Sequence, residues 1–312
     1  MKKKSKLLKL ILAGALTLTL TACGSNNSAQ TENNSEVTTQ NAEKETVVNI
    51  PADEKTAADT APSQEPVVVT IGTTSDDPRL WDALQAELDA RGDNIKIEFK
   101  NIDGAILNQA VADGELDLNS FQHYAYFNQV KTDQNLDLTA IGETLIVPLD
   151  LFSNKYTSLD EIPDNGSIAV PDDATNQGRA LNVLKNAGLI SLDPSVGTSA
   201  TIKDITENPK NLKIVELGGS QIPRSLDDVD AGVINCGYAV DAGLDINNPL
   251  YKDEIDLNNP EQQPYINIIV SKTSESENPI YLEVVDAYRS ARVYDATIER
   301  FNGAAIPAFD KE

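Results

Sequence analysis

Four short stretches of this 312-residue chain carry side chains able to do chemistry. The first is Asp172-Asp173-Ala174-Thr175-Asn176-Gln177-Gly178-Arg179-Ala180-Leu181, which follows the apolar run Ser167-Ile168-Ala169-Val170 and leads into a helical pattern. Asp173 or Thr175 is placed to cap that helix, and the unpaired N–H groups of a helix N-terminus attract an anion. Arg179 falls in the expected first turn, where the helix dipole disfavours a cation. Only seven arginines occur in the chain. One set against the dipole is either a surface residue in a local salt bridge or a bidentate clamp for a carboxylate, helped by the helix end.

The second stretch, Phe121-Gln122-His123-Tyr124-Ala125-Tyr126-Phe127, gathers four of the fifteen phenylalanines and tyrosines and the single histidine. Aromatic residues after a strand usually cover a sheet. The other arrangement is an apolar slot lined by Phe121 and Tyr126, with His123 adding a ring face and an N–H. Such a slot suits a flexible apolar or thioether side chain, because sulfur contacts aromatic rings favourably by about 0.3–1.5 kcal/mol. Third, Asn235 closes the run Gly232-Val233-Ile234. Its amide both donates to a carboxylate and accepts from an ammonium, although asparagine after a strand also serves as a turn residue. Fourth are two cysteines, Cys23 and Cys236. Cys236 beside Asn235 lacks a nearby histidine, and no glycine-rich phosphate loop occurs, so an enzyme is not expected. The same scarcity of ligands leads to no expected metal or cofactor.

The elements that must position these residues begin at Val67. Val67–Gly72, Ile95–Phe99, Ser167–Val170, Lys213–Glu216, Gly232–Asn235 and Tyr265–Ser271 read as strands. A longer strand is expected over Thr144–Phe152, and helices over 81–88, 107–111, 176–187, 224–229 and 280–301. Strands alternating with helices indicate parallel α/β sheets, and 67–312 accommodates two smaller lobes as naturally as one large sheet. The two long strands, near 144–152 and 265–271, are candidates for hinge segments; ligand would then sit between lobes, at the carboxyl ends of strands.

With 40 % hydrophobic and 24 % charged residues the chain is a globular protein, which excludes a disordered chain or a polytopic membrane protein. Its formal charge of −24 repels phosphate backbones and argues against nucleic acid. The first 22 residues read as a signal peptide, with a lysine-rich head through Lys9 and an apolar stretch Leu10–Leu20. Leu20-Thr21-Ala22-Cys23 resembles a bacterial lipobox, which implies cleavage before Cys23 and lipid attachment to its thiol, a membrane anchor on the outer face. With Cys23 acylated, Cys236 has no partner and no disulfide is expected. Residues 24–66 contain no Phe, Tyr, Trp or Leu, so 23–66 reads as a disordered, lipidated tether reaching about 35 Å.

Taken in order, Ala112–Asp117 running into Phe121-Gln122-His123, Asn176–Leu181, Asp204–Pro209, Leu226–Asp230, Ile234-Asn235, Tyr265-Ile266-Asn267 and Ala305–Phe309 resemble the methionine-binding lipoproteins (NlpA/MetQ type) of ABC importers. The resemblance covers essentially 67–309. It implies a two-lobed, periplasmic-binding-protein-like α/β fold (type II), with 67–150 and 266–312 as a discontinuous lobe 1 and 151–265 as lobe 2. It also implies that Arg179 and Asn176 hold an amino-acid carboxylate, that Asn235 serves the α-amino end, and that Phe121, His123 and Tyr126 surround the side chain. The function implied is capture of L-methionine, a derivative or a methionine-containing dipeptide, by a monomer that delivers it to a membrane permease. Three positions depart from the family pattern: Gly104 stands where a pocket tyrosine is usual, Tyr124-Ala125 replaces lysine-proline, and Ser75–Arg79 replaces a glycine-proline-histidine turn. Gly104 either enlarges the slot or leaves Tyr124 or Trp81 to fill it, and it motivates the alternative of a surface-exposed adhesive or scaffolding lipoprotein with an altered pocket.

Overall fold

The computed structural model describes residues 65–311. The signal peptide, Cys23 and nearly all of the tether lie outside the described residues.

The chain opens with β1 (Val67–Thr73), α1 (Arg79–Arg91), β2 (Ile95–Asn101), α2 (Gly104–Asp113), β3 (Leu118–His123), α3 (Tyr124–Asp133) and β4 (Leu138–Glu143). It continues through β5 (Leu145–Ile146), β6 (Leu149–Phe152), β7 (Ser167–Pro171), α4 (Ala174–Asn186), β8 (Ser191–Leu192), β9 (Ile205–Glu207), β10 (Lys213–Leu217), β11 (Ala231–Asn235) and α5 (Cys236–Asp241). β12 (Asn267–Lys272), α6 (Pro279–Tyr288), α7 (Ala291–Arg300) and β13 (Ile306–Pro307) complete it.

Two sheets result. The first has strand order β2-β1-β3-β12-β4, the second β10-β7-β11-β6. β1 runs parallel to β2 and β3, whereas β12 is antiparallel to both its neighbours. In the second sheet β7 is parallel to β10 and β11, and β6 is antiparallel. The central strands of each sheet are buried on both faces, whereas the edge strands β2 and β10 are partly exposed. Ile269 packs with Leu84, Leu88, Val284 and Val293 under α1, α6 and α7. Its neighbours Ile268 and Val270 turn to Leu107, Val111 and Phe127 under α2 and α3. The same two-residue alternation in β7 sends Ile168 and Val170 to Leu181 and Leu184 of α4, and Ala169 to Ile222 and Leu226.

Two expected elements are broken. The single strand over 144–152 is two short ones, because Pro148 offers no N–H for a ladder; β5 stays with β13 and β6 joins the second sheet. The final helix stops at Tyr288 and restarts at Ala291, where the Ser290 hydroxyl accepts from Val293 N–H. Of the expected helix at 224–229 only Arg224 and Ser225 are helical, as the end of a 3-10 segment over Gly219–Ser225, and 226–229 form a turn.

The chain passes between the sheets at 144–148 and again between α5 and β12. Beyond α7, Phe301, Ala304 and Ala305 bury themselves in one cluster with Ala169, Ile222, Leu226 and Ile234 of the second sheet, although the sequence places 266–312 with lobe 1. β13 then pairs antiparallel with β5, and Phe309 returns to Tyr288 and Tyr294.

α4 lies unusually close to its neighbour. A Cβ on Gly178 would fall 2.2 Å from the Thr198 carbonyl oxygen, a backbone atom with no rotamer to adjust. Gly178→Ala is therefore expected to destabilise by about 1–3 kcal/mol. At about 2–4 °C per kcal/mol for a domain of this size, circular dichroism melting should register the loss; an unchanged midpoint would mean the helix has slack that the geometry denies.

Candidate functional site

Between the sheets lies a cavity of about 370 Å³, and all six expected site residues line it: Phe121, His123, Tyr126, Asn176, Arg179 and Asn235. From the first sheet, β3 ends at His123, which also caps α3. Its Nδ1 accepts from the Tyr126 N–H at 3.1 Å. That bond folds the chain back, so Phe121 and Tyr126 meet edge to face at 6.0 Å. β3 itself is held to α2 by a buried amide network: Asn108 donates to Gln122 at 2.8 Å, Asn119 donates to Asn108 at 3.0 Å, and Gln122 donates to Asn119 at 2.9 Å.

From the second sheet comes α4. Asp173 is its cap, accepting from the Asn176 N–H at 2.9 Å and from the Thr175 hydroxyl at 2.8 Å. The same carboxylate receives the Asn176 side-chain NH₂ at 3.0 and 3.1 Å. This fixes the amide flip, leaving Asn176 Oδ1 to accept from Asn235 Nδ2 at 2.9 Å. The remaining partner of Oδ1 is His123 Nε2, at 3.2 Å. Because Nδ1 is already an acceptor, the neutral ring carries its proton on Nε2 and donates. One amide oxygen thus joins the two lobes.

Arg179 is the sixth residue of α4, in its second turn and not the first as expected. Its Nη2 donates to Val147 O and to Asp253 Oδ2, both at 2.8 Å, and the guanidinium lies 4.7 Å from the Tyr265 ring centre. The side chains of Arg179 and Asp253 are only 7 % and 14 % exposed. The arginine is therefore in a salt bridge, but a buried one, with its side chain still lining the cavity.

Burial shifts several groups here. It pulls His123 down to about 4, reinforced by the Arg179 charge, so the imidazole is neutral in ordinary conditions. Burial raises Tyr126 to about 12, with Asp173, Asp103 and Asp172 adding to the effect. Asp150, fully buried on β6, is pushed up to about 7 by desolvation; it accepts from Asp253 N–H at 2.7 Å, and its Oδ2 has no partner among the described residues. Cys236 is free and buried, and burial lifts its thiol to about 12. Such a thiol stays protonated and is a poor nucleophile.

Sequence reasoning missed Asp253, Tyr265, Tyr238 and Asp103. Asp253 lies in an irregular segment 74 positions from Arg179, with no local pattern to mark it. Tyr265 sat in a recognised segment but read as strand. Of the two residues considered as fillers for Gly104, Tyr124 donates to Glu143 and packs in the α2/α3 cluster. Trp81 lines the cavity but packs against Phe99 and Tyr288. The nearest side chains to Gly104 are Phe121 and Thr74.

Two α/β lobes joined by several crossings, with a polar and aromatic cavity between them, define a two-lobed substrate-binding protein. Solved structures agree: the substrate-binding protein of a methionine transporter from Streptococcus pneumoniae is similar with TM-score 0.72 and 40 % identity, covering 78 % of this chain and 96 % of that one. A nutrient-binding protein from Burkholderia cenocepacia, solved bound to methionine, gives TM-score 0.70 and 34 % identity over 77 % of this chain and all of that one (100 %). Among curated proteins, the D-methionine-binding lipoprotein MetQ of Escherichia coli (strain K12) is 43 % identical over 206 residues, 65 % of this chain and 74 % of that protein. The NlpA lipoprotein family model matches residues 69–309. The chain belongs to the NlpA lipoprotein family.

Two of the shifted groups oppose each other in pH dependence. His123, lowered from 6.5 to about 4, makes the folded state lose stability as pH falls from 6.5 to 4, by about 3 kcal/mol. Asp150, raised from 3.8 to about 7, contributes stability that is lost as pH rises from 3.8 towards 7, a similar amount over the same window. Their effects nearly cancel. Asp150→Asn removes only the second, so urea denaturation at pH 4 and 6.5 should show the variant gaining about 3 kcal/mol over the native chain as pH rises. Parallel pH profiles would contradict the assigned burial of Asp150.

Proposed function

We propose that this chain is the substrate-binding component of an ABC importer, that it captures methionine or a close analogue between its lobes, with L-methionine the expected ligand, and that it hands it to a membrane permease. The observation that carries the reading is a buried guanidinium, Arg179, placed beside two linked amides and an aromatic slot inside one cavity. Arg179 supplies a charge-assisted bond to the ligand carboxylate with Asn176, Asn235 serves the α-amino end, and Phe121, His123 and Tyr126 enclose the side chain.

Charge balance favours a zwitterion. Arg179 and Asp253 are already a neutral pair, so a bare carboxylic acid would leave one uncompensated buried negative charge. An α-ammonium restores neutrality. Neutral His123 adds no charge of its own and offers the slot a ring face. The transport role and the curated relatives point away from catalysis, and the protonated Cys236 agrees with that.

The lipobox-like Leu20–Cys23 supports acylation of Cys23 and attachment to the extracytoplasmic face of the membrane, the body working as a monomer on its tether. Cys23→Ser should shift the protein from the membrane pellet to the soluble extracytoplasmic fraction; retention in the pellet would refute the anchor.

Isothermal titration of refolded, ligand-free protein with L- and D-methionine tests the ligand. Nine heavy atoms at a ceiling of about −1.5 kcal/mol each permit nanomolar affinity. Arg179→Ala should weaken L-methionine by about 2–5 kcal/mol, since a buried carboxylate loses its partner. No heat with either enantiomer would refute methionine, and an unaltered affinity in the variant would refute the clamp.

A further inference from the structure

Gly104 opens α2 directly after its cap, Asp103, whose carboxylate accepts from Ala105 N–H at 2.9 Å. The backbone does not call for glycine: the glycines with positive φ are at 92, 114, 188, 197, 243 and 303. What glycine supplies is space. A Cβ there would sit 3.2 Å from Phe121 Cε2 and 3.4 Å from Thr74 Cγ2, and any longer side chain would have to enter the room beside the Phe121 ring.

That room leads somewhere. Gly104 lines the cavity that holds Phe121 and Tyr126, and it also lines a second, larger cleft of about 880 Å³. Thr74, Ser75, Asp103, Ser220, Tyr238 and Asp241 border both as well, so the two spaces adjoin here and Gly104 lies on their shared boundary. The second cleft differs in chemistry. Its charged lining is Asp76, Asp77, Asp103 and Asp241 against Arg79 and Arg224. Asp77 is paired with Arg79 and Arg300, and Asp241 with Arg300. Asp76 and Asp103 have no lysine or arginine nitrogen in ion-pair reach among the described residues. The Asp103 charge is felt by both Tyr126 and Tyr238, whose hydroxyls it helps to keep protonated. Aromatic faces next to a carboxylate are a favourable setting for a cation.

We propose that Gly104 is a specificity-determining residue that opens the thioether slot into the second cleft, so that the chain takes methionine-like amino acids whose sulfur carries a longer chain ending in a cation. This rests on the function proposed above, with the carboxylate at Arg179 and the side chain between Phe121 and Tyr126. The α-amino acid end keeps its place, and the added chain passes Gly104 towards Asp103 and Asp76.

The test compares three ligands by isothermal titration on the full chain in detergent: L-methionine, S-propyl-L-homocysteine, and S-(2-aminoethyl)-L-homocysteine, which matches the propyl compound in length but ends in ammonium. The aminoethyl compound is expected to bind at least tenfold tighter than methionine, with the propyl compound between them. In Gly104→Tyr, and in the smaller plug Gly104→Val, the ratio of methionine to aminoethyl dissociation constants should fall at least tenfold. Each ratio is internal to one variant, so a reduced folded fraction does not imitate the result. Methionine binding as tightly as the aminoethyl compound, a propyl compound equal to it, or ratios unmoved in both variants each overturn the proposal while leaving methionine capture standing. Failure of all three ligands to bind the native chain overturns methionine capture itself.

Discussion

Asp173 is the constraint on which the site's geometry rests. As the cap of α4 it satisfies the backbone N–H of the third helical residue, Asn176, and with the same carboxylate it grips the Asn176 amide. A side chain that stabilises a helix end by about 1 kcal/mol thereby also decides which way an asparagine faces. Once Asn176 Nδ2 is held, its oxygen must find donors, and it finds one on each side of the cleft, in His123 and Asn235. The orientation of three polar side chains and the approach of two lobes follow from one capping interaction.

Electrostatics adds a second layer. Asp253 does for Arg179 what Asp173 does for Asn176: it fixes the side chain in a buried position and, with Val147 O, sets the plane of the guanidinium over Tyr265. In a molecule of formal charge −24 a carboxylate arriving from solvent meets an adverse field. Attraction comes only at short range, where the arginine and the polar N–H groups are arrayed. Asp150 sits behind this pair and is fully buried; its raised proton affinity keeps a further negative charge from accumulating under Asp253 in mildly acidic conditions.

The alternation of strand and helix was legible where strands are apolar runs, as in β1, β7, β11 and β12, whereas β3, β4, α3 and α5, with polar or mixed sequences, were not read as elements. The six cavity residues were legible for a different reason. Phe121, His123 and Tyr126 stand within one strand-to-helix turn, Asn176 and Arg179 within another, and Asn235 at a third, so local sequence brings out what the fold then gathers. What stayed hidden was mostly non-local. The partners Asp253 and Tyr265 come from the return segment before β12, and their role depends on the path of a stretch with little secondary structure. The break at Pro148 and the restart at Ser290 were present as residues, but propensity alone did not decide that the strand and the helix end there. The passage of Phe301–Ala305 onto the second sheet had no sequence signal, since Phe301 and the two alanines fit either core.

The antiparallel pairing of β5 with β13 has a mechanical consequence. Two polypeptide crossings leave a pair of rigid bodies free to flex about the line between them and also to swivel around the axis that joins them. A third crossing, stitched to the first by a ladder, opposes the swivel more than it opposes flexion. Relative motion of the two sheets would then follow a single angle, and a partner touching both would be sensitive to that angle alone.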